Sequence, residues 1–200
     1  MQVYAHRNMI YLASRSPRRA ELLQQIGIEF IILPSDIDET PLLNEQSDTY
    51  VLRLAVEKAK FCYETLICQS ATILPVLAAD TSVSTDGKII GKPQDDDDAF
   101  QILSSMSGRL HEVHTGIALA TQEGVQVAIS STKVEMATLT DEMILAYIAT
   151  GESRDKAGAY GIQGLGGALI KCIVGSYSGV MGLPIYETTQ LLRKVGIRIL

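Results

Sequence analysis

Short apolar runs and helically spaced apolar residues alternate along the chain. Residues 10–13 form a compact apolar run, as a buried strand would. From Pro17 the spacing turns helical, and it stops at Gly27, a residue suited to the left-handed end of a helix. Residues 29–33 predict a second strand, followed by the acidic loop Asp36-Ile37-Asp38-Glu39-Thr40-Pro41 and a long helix over 48–68. At about 100° per residue, Val51, Leu54, Ala55, Lys58 and Cys62 share one face of that helix, with Arg53, Glu57, Lys60 and Glu64 opposite. Residues 73–79 are almost continuously apolar, the mark of a central strand covered on both faces, and the run ends at Asp80-Thr81.

Further on, Asp86-Gly87 predicts a tight hairpin, and a helix over 96–106 stops at Gly108. Strands over 110–120 and 125–137 flank a turn at Glu123-Gly124, and Thr140 caps a helix ending near Thr150-Gly151. The glycine-rich stretch 158–167 leads into a strand over 168–174 and a last helix over 184–195. Strands alternate with helices early and adjoin one another later. That order predicts an α/β fold with a mixed, twisted sheet flanked by helices, not a strictly doubly wound one. With no internal repeat and no Pro/Ser-rich linker, one domain over 1–200 is expected.

Composition narrows the function. Hydrophobic residues make up 46% of the 200 and charged residues 20%, enough apolar area for a packed core. The net charge of −6 removes the broad positive field that draws proteins to nucleic-acid backbones, and scarce aromatics with no Trp argue against base-stacking platforms, so no nucleic-acid partner is expected. Cys62, Cys68 and Cys172 show no paired spacing, which fits a reducing cytoplasm. The run at 9–13, preceded by His6 and Arg7, is too short for a signal or a membrane span. His6, His111 and His114 lack metal-ligand spacing, and no nucleophilic triad or P-loop string occurs.

The chemistry then has few places to lie. In Ser14-Arg15-Ser16-Pro17-Arg18-Arg19, two arginines sit at the positive end of a helix dipole, which favours a bound anion. Free backbone N–H groups, two hydroxyls and guanidinium forks at a strand-to-helix loop would cradle phosphate; a solvated basic turn is the alternative. Lys58 points inward and needs a carboxylate or a phosphate, unless it snorkels. Asp80, at the end of an apolar strand, lies where open α/β sheets gather ligands, and is a candidate base or metal ligand as well as a plain turn residue. Glu39 offers a second hard oxygen donor of the kind that suits Mg²⁺ or Mn²⁺. Lys92, in Gly91-Lys92-Pro93, can reach a phosphate, and Gln163 can donate to and accept from a base edge. The acidic run Asp95–Asp98 reads as helix capping.

In order and spacing, Ser14 to Arg19, Asp38-Glu39, Arg53 through Lys58, Ala79-Asp80-Thr81, Gly91-Lys92-Pro93, Ser107-Gly108 and Asp155-Lys156-Ala157-Gly158-Ala159-Tyr160-Gly161-Ile162-Gln163-Gly164 resemble the Maf family. So do the late Gly175-Ser176-Tyr177 and Gly182-Leu183-Pro184. The resemblance covers essentially the whole chain. It implies a Maf/ITPase-like fold with two lobes around a cleft, a cytoplasmic homodimer, and hydrolysis of nucleoside triphosphates to monophosphate and pyrophosphate with divalent Mg or Mn. It also implies that Asp80 activates water and, with Glu39, ligates metal, while Ser14, Arg19, Lys58 and Lys92 bind phosphates. Arg18, Thr81 and Gln163 would tune base choice. Thr81 and the Ala-Tyr-Gly-Ile-Gln string resemble the branch acting on dTTP and UTP, with modified pyrimidine nucleotides as further candidates. Arg15 departs from the Gly of some members. A nucleotide-binding regulator of septum formation with little turnover is the alternative.

Overall fold

Residues 9–199 are described by the computed structural model, so the sequence features at His6 and Arg7 lie outside the described residues. The alternation of side chains along one strand organises the rest. Strand β3 (Val76–Thr85) is the hub of a seven-stranded sheet in the order β2-β1-β3-β5-β6-β7, with β4 paired to β3. Strands β1 (Met9–Leu12) and β2 (Glu29–Ile32) run parallel to one another, and β1 runs parallel to β3. Strands β5 (Leu110–Thr121), β6 (Gly124–Met136) and β7 (Ile170–Val174) continue as an antiparallel meander. The sheet is therefore mixed, as the order of elements implies. The hairpin from β3 to β4 (Lys88–Ile90) turns at Asp86-Gly87, both in the left-handed region at φ 52° and 74°, the requirement of a type I′ turn.

Val76 and Ala78 face helix α2 (Ser47–Cys68), where Ala55, Ala59, Cys62 and Leu66 form one apolar cluster with them. Leu77 and Ala79 face the other way, into a second cluster with Leu22 and Leu23 of α1 (Pro17–Gln25) and Leu191 and Leu192 of α6 (Ile185–Lys194). Burial on both faces explains why this run reads as continuously apolar. Farther along, Val83 enters a third cluster with Leu103 and Met106 of α3 (Asp96–Met106), Ile144 and Tyr147 of α4 (Asp141–Ala149), and Tyr160. Between the second and third clusters lies Thr81, with Thr115 and Ser130 as its register partners across β5 and β6. A short helix, α5 (Tyr177–Met181), lies against β5 and β6. One sheet thus carries two apolar cores on the same face, split by a polar row.

Helix α2 lies unusually close to the sheet. A Cβ on Gly116 of β5 would come within 2.6 Å of the Val51 carbonyl oxygen, so only glycine permits this approach. Most of the predicted elements recur within a residue or two. The largest difference is at Asp80, which does not end its strand: β3 runs on through Thr85 because β5 continues to pair with it as far as Ser84. Near the other end, residues 164–169 wind into a 3₁₀ turn before β7 begins at Ile170, and α5 lies where no helix was expected.

Candidate active site

Strand β1 pairs with β3 only at Val76 and Leu77, and β4 pairs with it only from Val83 onward. Between those contacts one edge of β3 is open, and the chain of β1 turns away into the Ser14–Ser16 loop. Asp80 and Thr81 fall in that gap on opposite faces of the sheet. The gap is the floor of a cleft of about 880 Å³. Its walls include Ser14, Arg18 and Arg19, Glu39, Lys58, Lys92, and the late loop with Lys156 and Gln163. All the predicted site residues therefore line one cavity.

On the α2 face, Lys58 is 7% exposed, and its Nζ lies 2.7 Å from Asp80 Oδ1 and 2.6 Å from Glu39 Oε1. The inward lysine meets two carboxylates at once, which compensates the cost of burying its charge. Burial pushes the Asp80 carboxyl above its ordinary range, against the charges of Lys58 and Arg19. Burial acts the same way on Glu39, but the hydrogen bond and charge of Lys58, with Lys92 and Arg19 behind it, hold that carboxyl below its usual value. Ser82, two residues on from Asp80, shares its face and meets Ser47 Oγ at 2.6 Å.

The opposite face is built from the loop after β1. Ser16 occupies the N-cap of α1 without a side-chain cap; its backbone N–H donates instead to Ser14 Oγ at 3.1 Å. Arg19 donates from Nε to the Gly182 carbonyl at 2.8 Å, from one terminal nitrogen to Ser14 Oγ at 3.1 Å, and from the other to Thr81 Oγ1 at 3.3 Å. Three of its five N–H groups are thereby fixed, and two are left for an anion. Arg18 is half-buried and Arg15 exposed. Lys92 is exposed at the rim, and among the described residues no ion pair engages it.

Other residues, Tyr50, Tyr147 and Glu152 among them unremarked in the sequence, hold the walls in place. Tyr50 donates to the Glu39 carbonyl at 2.9 Å, and burial with the charges of Asp80 and Glu39 pushes its phenol up to about 12. Arg53 pairs with Glu45 at 2.7 Å and donates to the Thr40 carbonyl at 3.2 Å. Helical periodicity put Arg53 on the polar face, and it gave no hint that the preceding loop folds back over it. In the late loop, Lys156 donates to the Glu152 carbonyl at 2.5 Å, and the Glu152 carboxylate accepts from the backbone N–H groups of Leu165 and Gly166, both at 3.2 Å. Tyr147 accepts from the Gly161 N–H at 3.2 Å. His111 and Tyr160, buried and 2.7 Å apart, anchor this loop to β5, and His114 meets Ser131 Oγ at 2.8 Å. Asp95 caps α3 by accepting from Asp98 N at 2.8 Å, and Asp98 accepts in return from Gln94 N. The acidic run is a cap, as the sequence suggests.

Residues 9–195 match the family model described as Maf-like protein. The chain is 62% identical to the dTTP/UTP pyrophosphatase of Methylobacillus flagellatus, covering 95% of this chain and 94% of the relative. It is 47% identical to the dTTP/UTP pyrophosphatase of Pasteurella multocida, over 94% and 96%, and 47% identical to the nucleoside triphosphate pyrophosphatase of Haemophilus ducreyi, over 96% and 97%. Among solved structures, that of the Staphylococcus aureus Ham1 protein aligns with a TM-score of 0.46 at 14% identity, over 64% of this chain and 72% of the other.

Proposed function

The chain belongs to the Maf family, and on that premise we propose that it hydrolyses dTTP and UTP to the nucleoside monophosphate and pyrophosphate in the cleft over β3. The observation that carries the reading is the convergence of Glu39 and Asp80 on one cation, Lys58, in a cleft whose other walls supply Ser14, Arg18, Arg19 and Lys92. An acidic centre ringed by cations matches a triphosphate: the cations neutralise its charge, and the carboxylates can activate water.

A divalent metal fits this donor set. Two carboxylates already approach a single positive point, within 2.7 Å of Lys58 Nζ. Among the described residues there is no cluster of three or more His, Cys, Asp or Glu that could hold an ion alone. Mg²⁺ and Mn²⁺ suit such a place, because Mg²⁺ takes one or two carboxylates and completes its shell with waters and substrate phosphates. Glu39 and Asp80 would hold the ion, which when bound spreads the charge of the phosphoryl oxygens.

The residues of the chain carry the rest. Ser14, the two remaining N–H groups of Arg19, and Lys92 bind and orient the phosphate chain. Lys58 donates to Asp80 Oδ1, which leaves Oδ2 to accept the proton of a water aligned on the phosphorus. The raised affinity of Asp80 for protons, due to burial, makes it a better base than an exposed carboxylate. Arg18, Thr81 and Gln163 face the base. The homodimer and the cytoplasmic setting belong to the same proposal; no described helix is long and apolar enough to cross a membrane.

Product analysis tests the reaction. Incubated with UTP or dTTP and Mg²⁺ or Mn²⁺, the protein is expected to release monophosphate and pyrophosphate. Diphosphate and phosphate as the main products would overturn the proposed bond cleavage.

A further inference from the structure

Thr115 lies on β5 directly across from Thr81, is fully buried, and does not itself line the cleft. Its hydroxyl donates 2.8 Å to the carbonyl of Gly179 in α5, an oxygen that can only accept. A threonine hydroxyl has one proton, so the 2.8 Å contact between Thr81 and Thr115 must be donated by Thr81. Arg19, which can only donate, reaches the same Thr81 oxygen at 3.3 Å. The proton direction is therefore fixed along the whole chain: Arg19 to Thr81, Thr81 to Thr115, Thr115 to Gly179. A charged donor at its head polarises each hydroxyl in turn toward the next.

What is left on Thr81, a residue of the cleft lining, is a single lone pair. It cannot donate to a phosphate oxygen or to a carbonyl of the ligand; it can only accept. Uracil and thymine share an N3–H donor between two carbonyls, whereas cytosine offers a bare lone pair at N3. We propose that Thr115 is a positioning residue for base selection, which by taking the proton of Thr81 makes that hydroxyl an obligate acceptor for the imino N3–H of uracil or thymine and so rejects cytosine. The inference rests on the reading of this cleft as a pyrimidine triphosphate site and adds the physical origin of its discrimination. A polar site that leaves a ligand group unmatched rejects it far more strongly than an apolar pocket does.

The measurement is the ratio of kcat/KM for UTP over CTP in full-length protein. Thr115→Val keeps the shape and removes the acceptor, freeing the Thr81 proton to serve cytosine N3, and should lower the ratio about tenfold or more, the scale of one buried hydrogen bond. Thr115→Ser, which restores the hydroxyl, should return the parental ratio. A merely structural role would lower turnover of both nucleotides and leave the ratio in place. An unchanged ratio in Thr115→Val overturns the inference, as does a Thr115→Ser variant that loses the ratio equally. An arm independent of variant folding uses the parent with N3-methyl-UTP, which lacks the donor and should be hydrolysed at least about tenfold less efficiently than UTP; equal efficiency also overturns it. Failure of the parent to release pyrophosphate from UTP would sink the reading of the cleft itself, whereas parental turnover with an unchanged Thr115→Val ratio sinks only the role of Thr115.

Discussion

His111 shows what burial does to a single ionisable side chain. It is 2% exposed, its Nε2 is taken up by Tyr160, and its Nδ1 is buried without a partner. Burial pulls its pKa from 6.5 down to about 4. The unfolded chain therefore binds a proton that the folded chain refuses between those values. The stability this histidine lends is complete above about pH 6.5 and is lost as pH falls toward 4, by up to roughly 3 kcal/mol at about 1.4 kcal/mol per pKa unit. Thermal unfolding followed from pH 7 to pH 4 should show this slope, and His111→Gln should flatten it. An equal slope in both proteins would place the acid sensitivity elsewhere. Lys58 is the complementary case, a buried charge made tolerable by two carboxylates, and its inward orientation was legible from helical spacing alone.

At the scale of elements, the loop carrying Glu39 has little apolar anchorage: Leu42 is 60% exposed and Leu43 94%. Its position depends on polar ties from α2, namely Tyr50 to the Glu39 carbonyl and Arg53 to Glu45 and the Thr40 carbonyl. Arg53→Ala should therefore raise the Mg²⁺ concentration needed for half-maximal turnover by about ten- to a hundredfold, the equivalent of a charged hydrogen bond of roughly 1.5–3 kcal/mol, while the folded core survives. An unchanged metal requirement would show that the loop holds itself. Gly116→Ala probes the close approach of α2 to β5; forcing a methyl against the Val51 backbone should destabilise the fold by about 1–3 kcal/mol, read as a lower denaturation midpoint.

These elements also show what periodicity can convey. The apolar run ending at Ala79 and the alternating face of α2 were readable because burial imposes a period on sequence. The continuation of β3 past Asp80 was not, because half-buried Thr81 and buried Ser82 and Ser84 are polar residues covered by partners distant in sequence: Thr115 and Arg19, Ser47, and the paired strand β5. The five-residue helix α5 is too short to establish a period. The clamp from Arg53 to Glu45 reverses the direction in which a polar helix face is ordinarily read, since the loop closes over that face instead of leaving it to solvent.

The molecule as a whole carries a net charge of −6, yet its cleft gathers Arg15, Arg18, Arg19, Lys58, Lys92 and Lys156 against Glu39, Asp80 and Asp155. Positive charge in a concave wall of an otherwise acidic protein focuses a local field on a polyanion. The open edge of β3 makes this possible: β1 leaves the sheet early, β4 joins it late, and alternation sends Asp80 to one face and Thr81 to the other. Chemistry and base selection can then occupy one cleft from neighbouring residues. In the proposed reaction Asp80 takes the proton of the attacking water. The measurement that tests it most directly is pyrophosphate release from UTP by Asp80→Asn, with nucleotide binding measured on the same preparation. Binding within a few-fold of the parent and turnover reduced by about 10²–10⁴-fold are the predicted result, and near-parental pyrophosphate release would contradict it.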